Sequence, residues 1–290
     1  MRHDVTAGDG RTIAAYEHGD PQGRAVLSHH GTPGSGHVKP TWIAEAERQG
    51  IRLISYDRAG YAGSDRRPGR SVADIAADAT AIADALGVER FATWGGSGGG
   101  PHALACGALL GERVVAVATI AGAAPSDADD IDFLAGMGED NITEFNAAIA
   151  GEDALRPLLE GWAPGMLEAT AEGLVEEMRS VLSPPDVAVI TGEFGEQMVI
   201  GVRASLSGGV DGWIDDDLAF VKPWGFDVAD IGCPVQVWQG EQDLMVPTAH
   251  GEWLARHVPG ADARISPDDG HLTLTELHLG EVFAFLLAGF

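Results

Sequence analysis

Basic residues are scarce in this sequence. Its 290 residues include 18 Lys and Arg against 44 Asp and Glu, which gives a formal net charge of −26 at pH 7. A protein that binds nucleic acid replaces counterions with a basic surface, and positive charge also holds proteins on anionic lipid. We therefore expect neither a nucleic-acid partner nor a membrane partner. The sequence leaves the oligomeric state open, including a homodimer.

Cysteines and long apolar runs are also rare. The two cysteines, Cys106 and Cys233, are too few for a disulfide framework, and their apolar neighbours favour buried thiols. The first ten residues lack the apolar core of a signal peptide. No uncharged apolar stretch reaches the roughly 20 residues that a membrane-spanning helix needs. We expect a cytoplasmic protein.

The negative charge is distributed unevenly. Residues 125–230 contain 23 Asp and Glu but only four Lys and Arg. Such a surplus is typical of a solvated surface that keeps a protein soluble and apart from its copies. It is also compatible with an electric field that steers cationic substrates towards a site and repels anionic ones. Both interpretations stay open at this point.

Strand-like and helical patterns alternate in two parts of the chain, which predicts a mainly parallel sheet covered by helices. An Asp9-Gly10 turn predicts an opening hairpin. The predicted strands are 4–6, 12–17, 25–28, 51–56, 91–94, 114–120, 235–239 and 263–266. The predicted helices are 41–49, 71–86 with Ser71 as its cap, 98–110, 248–257 and 281–288.

The alternation stops after Ala124 and resumes after Trp224. The segment between them is acidic, partly helical, and broken at Gly136, Pro164, 184–185 and 208–209. We therefore predict a core domain formed by residues 1–124 and 225–290, with residues 125–224 inserted as a mostly helical cap. An insertion at the strand ends would cover any site that is built there.

A glycine-rich stretch, Gly95-Gly96-Ser97-Gly98-Gly99, matches the G-x-S-x-G pattern of a nucleophile elbow. A predicted strand precedes it and a predicted helix follows it, as such an elbow requires. The glycines let the turn close while the serine hydroxyl stands clear of the sheet. The alternative interpretations are a turn with an idle serine or a phosphate cradle at a helix N-terminus.

Two further residues would complete a catalytic triad with Ser97. His271 follows the last predicted strand and is the candidate general base. Asp243 follows the preceding strand and is the candidate acid that orients the histidine, with Glu241 and Asp127 as alternatives. The order Ser, Asp, His along the chain, each at a strand end, favours nucleophilic catalysis on a small-molecule acyl substrate.

An oxyanion needs backbone N–H donors. Gly98 should supply one, because it follows the nucleophile at a helix N-terminus. Thr32 should supply the other, from the loop His30-Gly31-Thr32-Pro33-Gly34 after an early strand. That loop is otherwise an ordinary Gly/Pro turn.

These motifs together resemble the α/β-hydrolase fold family. The resemblance rests on 30–34, 57–64, 95–99, Gly240-x-x-Asp243-x-x-Val246-Pro247 and Gly270-His271, and it covers the predicted core. It implies an α/β fold with a mainly parallel eight-stranded sheet, flanking helices and an inserted helical cap. It also implies a structural role for 57–64, and it implies no metal and no organic cofactor.

The resemblance permits several activities. Epoxide hydrolases and dehalogenases use an aspartate nucleophile, whereas this elbow has Ser97, and no tyrosine lies in the cap. The first expectation is a serine esterase, with a proline iminopeptidase-like aminopeptidase, a C–C bond hydrolase, a lactonase or a perhydrolase as alternatives. A ligand-binding protein that retains the triad is an alternative of another class. Residues expected to contact substrate are Gly31, His102, Phe133, Met137, Trp162, Trp213 and Trp224, although the aromatic ones would equally serve as cap core.

Overall fold

The fold is built on an eight-stranded sheet in the part of the chain that the computed structural model describes, residues 1–190 and 192–290. The strands are β1 (Arg2–Thr6), β2 (Thr12–Gly19), β3 (Arg24–His29), β4 (Ile51–Tyr56), β5 (Phe91–Gly96), β6 (Val114–Ile120), β7 (Val235–Gly240) and β8 (Asp262–Ser266). Their spatial order is β1-β2-β4-β3-β5-β6-β7-β8. Strand β2 pairs antiparallel with β1 and β4, and every other pairing is parallel. The predicted fold class is confirmed.

Helices occupy both faces of the sheet and most of the insertion. They are α1 (Pro40–Gln49), α2 (Ile75–Ala85), α3 (Gly99–Leu109), α4 (Glu139–Ala150), α5 (Glu152–Glu168), α6 (Ala171–Glu177), α7 (Pro184–Val189), α8 (Gly192–Ser205), α9 (Asp211–Phe220), α10 (Thr248–His257) and α11 (His271–Leu287). Helices α4 to α9 fall between β6 and β7 along the chain. None of the described helices is long and apolar enough to cross a membrane.

The central strands are buried on both sides because helices pack on each face. Strand β6 is buried at all its positions. Successive side chains of a strand point to opposite faces. Accordingly, Val117 packs in one apolar cluster with Leu104 of α3, whereas Ala118 packs in another with Phe283 of α11. Helices α3 and α11 therefore lie on opposite faces and start near the same edge of the sheet.

Helix α11 begins ten residues earlier than predicted. The sequence favoured a final helix at 281–288, but the helix starts at His271. The residue before it is Gly270, which has no side chain to bond the free N–H groups of a first turn. The N–H groups of this first turn instead donate to Asp186 in the insertion, which is 85 residues from His271 along the chain. A local sequence pattern does not contain this contact.

Two other helix predictions need correction. Pro164 does not break the insertion, because it lies inside α5 on the exposed side, where water can satisfy the carbonyl left without a donor. Ser71 does not cap backbone N–H groups with its hydroxyl. Its hydroxyl and its N–H both donate to the Asp74 carboxylate, at 2.9 and 2.7 Å, and the first turn is a short 3₁₀ segment over Val72–Asp74.

Candidate active site

Ser97 stands at the sharp turn between β5 and α3. Its φ of +53° lies in the left-handed region, and its N–H donates to the Ile120 carbonyl at 2.9 Å. The turn depends on its glycines. A Cβ on Gly95 would lie 2.1 Å from the Gly99 carbonyl oxygen, and a Cβ on Gly99 would lie 2.2 Å from the His29 carbonyl oxygen. The predicted strand, turn and helix are therefore present, with Ser97 partly exposed at the turn.

His271 and Asp243 are brought together at the adjoining strand ends. The Nδ1 atom of His271 lies 2.8 Å from Oδ2 of Asp243, and both residues are buried. The second carboxylate oxygen of Asp243 accepts hydrogen bonds from the N–H groups of Met245 and Val246, each at 2.8 Å. These contacts fix the carboxylate so that it faces the imidazole. The alternative acids, Glu241 and Asp127, are exposed at the surface.

The surroundings of His271 favour its charged form. Burial lowers the pKa of the imidazole, but the charge and hydrogen bond of Asp243, together with the charge of Asp186, outweigh burial and leave the pKa raised. Because Nδ1 is engaged with Asp243, Nε2 is the nitrogen left to exchange a proton. No hydrogen bond joins His271 to the Ser97 hydroxyl within the described residues. Helix α11 does pass the elbow, since Thr275 Oγ1 lies 3.7 Å from the Cβ position of Gly96.

The loop after β3 lies against the elbow. The Cβ position of Gly31 is 3.5 Å from the Ser97 Cβ, and that of Gly98 is 2.4 Å from Thr32 Oγ1. Thr32 and Gly98 are thus neighbours across the turn. In the described part of the chain, neither backbone N–H donates a hydrogen bond to the protein. Gly98 also precedes α3, whose N-terminus favours negative charge.

An ion pair missed by the sequence analysis supports this loop. Arg58 donates to the carbonyls of His30 and Gly31 at 2.8 and 3.0 Å, and it binds Asp216 of α9 at 2.5 Å. The Thr32 hydroxyl donates to the same carboxylate at 2.8 Å. Burial alone would raise the pKa of Asp216, but the Arg58 and Arg70 charges hold it well below its usual value. The run of three aspartates in an otherwise apolar helix was the available signal for Asp216.

A cavity of about 360 Å³ opens beside Ser97. Its walls come from the loop after β3, the elbow, the insertion and the loop after β7. Six predicted residues contribute to it: Thr32, Ser97, Gly98, Met137, Trp162 and Trp213. Other apolar walls are Phe145, Met166, Met178, Val181, Phe220, Met245 and Val246, and four acids also line it: Asp140, Glu144, Glu177 and Asp217.

The two acids that face each other in this cavity were not predicted. Asp217 is almost fully buried, and no N–H or O–H of the described residues donates to its Oδ2. Glu144 approaches it and accepts a 2.5 Å hydrogen bond from Trp213 Nε1. Burial raises the pKa of Asp217 well above its usual value, and Glu144 adds to the rise. Burial also raises the pKa of Glu144.

A family model described as alpha/beta hydrolase fold matches residues 24–173, just over half of the chain. The chain belongs to this family. A non-heme haloperoxidase from Rhodococcus erythropolis is 34% identical over 122 residues, which cover 42% of this chain and 44% of that protein. The chain thus matches less than half the length of this curated relative.

Solved structures with the alpha/beta hydrolase fold match almost the whole of this chain. A hydrolase from Pseudomonas aeruginosa superposes with a TM-score of 0.72 at 19% identity, over 99% of this chain and 98% of that chain. A thermophilic esterase from Thermogutta terrifontis superposes with a TM-score of 0.69 at 21% identity, over the same shares. At these identities the likeness establishes the fold alone.

Two residues predicted to contact substrate in this alpha/beta hydrolase, His102 and Phe133, instead pack against neighbouring side chains. His102 is buried in α3, where Nδ1 lies 2.9 Å from the Gly98 carbonyl oxygen and the ring packs edge-on against Phe220. Phe133 packs edge-on against Phe145 and His250. Neither lines the cavity beside Ser97.

Trp224 and Gly31, which were also predicted to contact substrate, lie outside the lining of the cavity beside Ser97. Trp224 stacks on Phe226 and belongs to the core cluster, where its carbonyl accepts the Ala73 N–H at 2.9 Å. Gly31 lines a separate cavity of about 230 Å³, and Lys39 also contributes to the walls of that cavity. The sequence identified apolar residues of the right type, but only the packing of the helices decides which ones reach the cavity.

Proposed function

We propose that this protein is a serine hydrolase that cleaves small esters or related acyl compounds. Ser97 is the nucleophile, His271 the general base and Asp243 the acid that orients it. The single observation that carries the proposal is the buried His271–Asp243 pair at the sheet edge that also bears the elbow serine. Membership of a hydrolase family and the hydrolase and esterase neighbours support the same reaction class.

The reaction proceeds by acyl transfer. Nε2 of His271 takes the Ser97 proton while Oγ attacks the carbonyl carbon, and Asp243 stabilises the imidazolium that forms. The N–H groups of Gly98 and Thr32 donate to the developing oxyanion. The imidazolium then gives its proton to the departing alkoxide. Water, activated by the same histidine, hydrolyses the acyl-enzyme and restores Ser97.

The cavity favours a small and largely apolar substrate. Its volume of about 360 Å³ is near the lower end of ligand sites in proteins. Half of the residues that line it are Met, Phe, Trp or Val. We therefore expect short acyl chains to react faster than long ones in a panel of 4-nitrophenyl esters.

Covalent labelling tests the nucleophile directly. A fluorophosphonate should modify the tryptic peptide 91–113, in which Ser97 is the single serine. The label should disappear in Ser97→Ala and persist in Ser207→Ala, whose serine is exposed outside the cavity. Labelling of another serine, with peptide 91–113 unmodified, would refute the proposed nucleophile.

The acids of the cavity favour a second candidate, an aminopeptidase that accepts a substrate with a free amine. An ammonium group between Asp217 and Glu144 would supply donors to two carboxyl groups that otherwise face each other. Trp162 and Trp213 would add aromatic faces that attract cations. This candidate is consistent with the expectation that the acidic insertion selects cationic substrates.

A pair of substrates separates the two candidates. L-alanine 4-nitroanilide has a free amine, whereas N-acetyl-L-alanine 4-nitroanilide does not. An aminopeptidase should cleave the first faster, and Glu144→Gln should remove the preference while the exposed control Glu168→Gln retains it. If the protein cleaves esters and its rate does not depend on a free amine in the substrate, the aminopeptidase candidate is rejected and the esterase proposal stands.

A further inference from the structure

A residue of the insertion caps the helix that carries the proposed base. Both oxygens of Asp186 in α7 point at the first turn of α11. They accept the N–H groups of His271 at 3.0 Å, Leu272 at 2.7 Å and Thr273 at 3.3 Å. These are the groups that a helix leaves without an internal partner at its N-terminus. Asp186 therefore fixes the backbone N–H of His271, whereas Asp243 bonds its imidazole.

The contact is fully buried and closely fitted. Asp186 has no exposed surface, and it also accepts the Ser183 hydroxyl at 2.7 Å. A Cβ on Gly270 would lie 2.2 Å from Ser183 Oγ and 2.3 Å from Asp186 Oδ2. Glycine at position 270 is therefore required for α7 to approach α11. The first turn of α11 depends on a segment that belongs to the insertion.

Asp186 also acts on the imidazole through its charge. Asp243 and Asp186 are the two groups whose charges raise the pKa of His271, against the lowering by burial. Asp269, two residues away, is turned towards Ser266 and His278 instead. The negative charge also lies where the α11 dipole favours an anion.

We propose that Asp186 is a positioning residue for the reaction, because it aligns the base by capping α11. It thereby makes the activity of the proposed triad depend on the position of the insertion. This inference rests on the proposed triad, because it acts through His271. Displacing α7 would leave three N–H groups in the first turn of α11 without their acceptor. His271, which must contact Ser97, would then be free to move. The insertion is then part of the catalytic alignment as well as the wall of the cavity.

Asp186→Asn is the direct test because it removes the charge and retains one acceptor oxygen. We expect kcat on 4-nitrophenyl acetate to fall by about tenfold with a smaller change in KM. The acidic limb of the kcat/KM profile should move to lower pH, because the loss of a nearby negative charge lowers the pKa of His271. A variant with unchanged kcat and an unchanged pH profile would overturn the proposal.

Asp74→Asn is a matched control. Asp74 accepts the N–H and hydroxyl of Ser71 in the same way that Asp186 accepts those of Ser183, but it makes no contact with α11. It should leave the pH profile in place. If Asp186→Asn does not fold, Gly270→Ala replaces it, since the added methyl group would displace the carboxylate without removing its charge. An unimpaired kcat in Gly270→Ala would equally overturn the proposal.

A readout without turnover separates this inference from the proposed function. The His271 ring titration can be followed by NMR in Ser97→Ala, with the signal assigned by its loss in His271→Gln. Asp186→Asn should lower the titration midpoint in that background. If the wild-type protein hydrolyses no ester but the midpoint still shifts, the proposed function fails while the contact stands. If esters are hydrolysed and the midpoint does not move, the positioning role fails.

Discussion

Asp243 Oδ2 lies 2.8 Å from Nδ1 of His271, although 28 residues separate the two in the chain. The acid is fixed by backbone donors and by Gln239, and the imidazole cannot rotate without losing this bond. We predict that Asp243→Asn reduces kcat by about 10⁴-fold, because an amide favours the wrong tautomer. Glu241→Gln is the control, since Glu241 is exposed. A loss below tenfold in Asp243→Asn would show that another acid orients the base.

The pH dependence of activity should reflect the raised pKa of His271. The base must be neutral to accept the Ser97 proton, so activity is lost as pH falls through the pKa of His271. Burial lowers that pKa, but Asp243 and Asp186 raise it above the ordinary value of 6.5. We therefore expect the acidic limb of kcat/KM to be centred above pH 6.5 on a pH-insensitive leaving group. An acidic limb centred near pH 5 would contradict the claim that Asp243 and Asp186 raise the pKa of His271.

The proposed oxyanion donors, the N–H groups of Gly98 and Thr32, should be sensitive to any side chain at position 98. In Gly98→Ala the new Cβ would lie 2.4 Å from Thr32 Oγ1 and 2.9 Å from Thr32 Cβ, so the loop must move. We expect kcat to fall by about a hundredfold with little change in the free energy of unfolding. Gly161→Ala is the control, because nothing lies within 4 Å of its Cβ position. Full activity in Gly98→Ala would exclude the proposed pair of donors.

Asp216 should contribute both to stability and to activity. Its buried carboxylate faces Arg58 and Arg70, and Asp216→Ala would leave both cations without compensation. We expect the free energy of unfolding to fall by about 3–5 kcal/mol in denaturant titrations, with a loss of kcat as the loop after β3 is released. Asp262→Ala removes an exposed pair and should cost less than about 1 kcal/mol. If the two variants lowered the free energy of unfolding equally, the larger contribution expected of the buried Asp216 pair would be refuted.

Much of the sheet could be predicted because its strands are short apolar runs bounded by turn residues. The predicted strands at 51–56 and 114–120 coincide with β4 and β6. The elbow and the His271–Asp243 pair followed from the rule that parallel strands end at one edge. These features depend on local pattern and on topology, and both are visible in a sequence.

The remaining features depend on contacts between distant segments. The start of α11 escaped prediction because its cap is Asp186, which comes from the insertion. Asp216 was missed for the same reason, since its partners Arg58 and Arg70 lie about 150 residues earlier. Trp224 was expected in the cavity, but an aromatic side chain near a site fits a core equally well. Only the packing of the helices distinguishes these alternatives.

In the proposed reaction, the Ser97 hydroxyl is the group that is acylated. The most direct measurement is the steady-state hydrolysis of 4-nitrophenyl acetate by purified, folded Ser97→Ala beside the wild-type protein. We expect kcat to fall by about 10⁴-fold or more while thermal unfolding is unchanged. Hydrolysis by folded Ser97→Ala at the wild-type rate would contradict it.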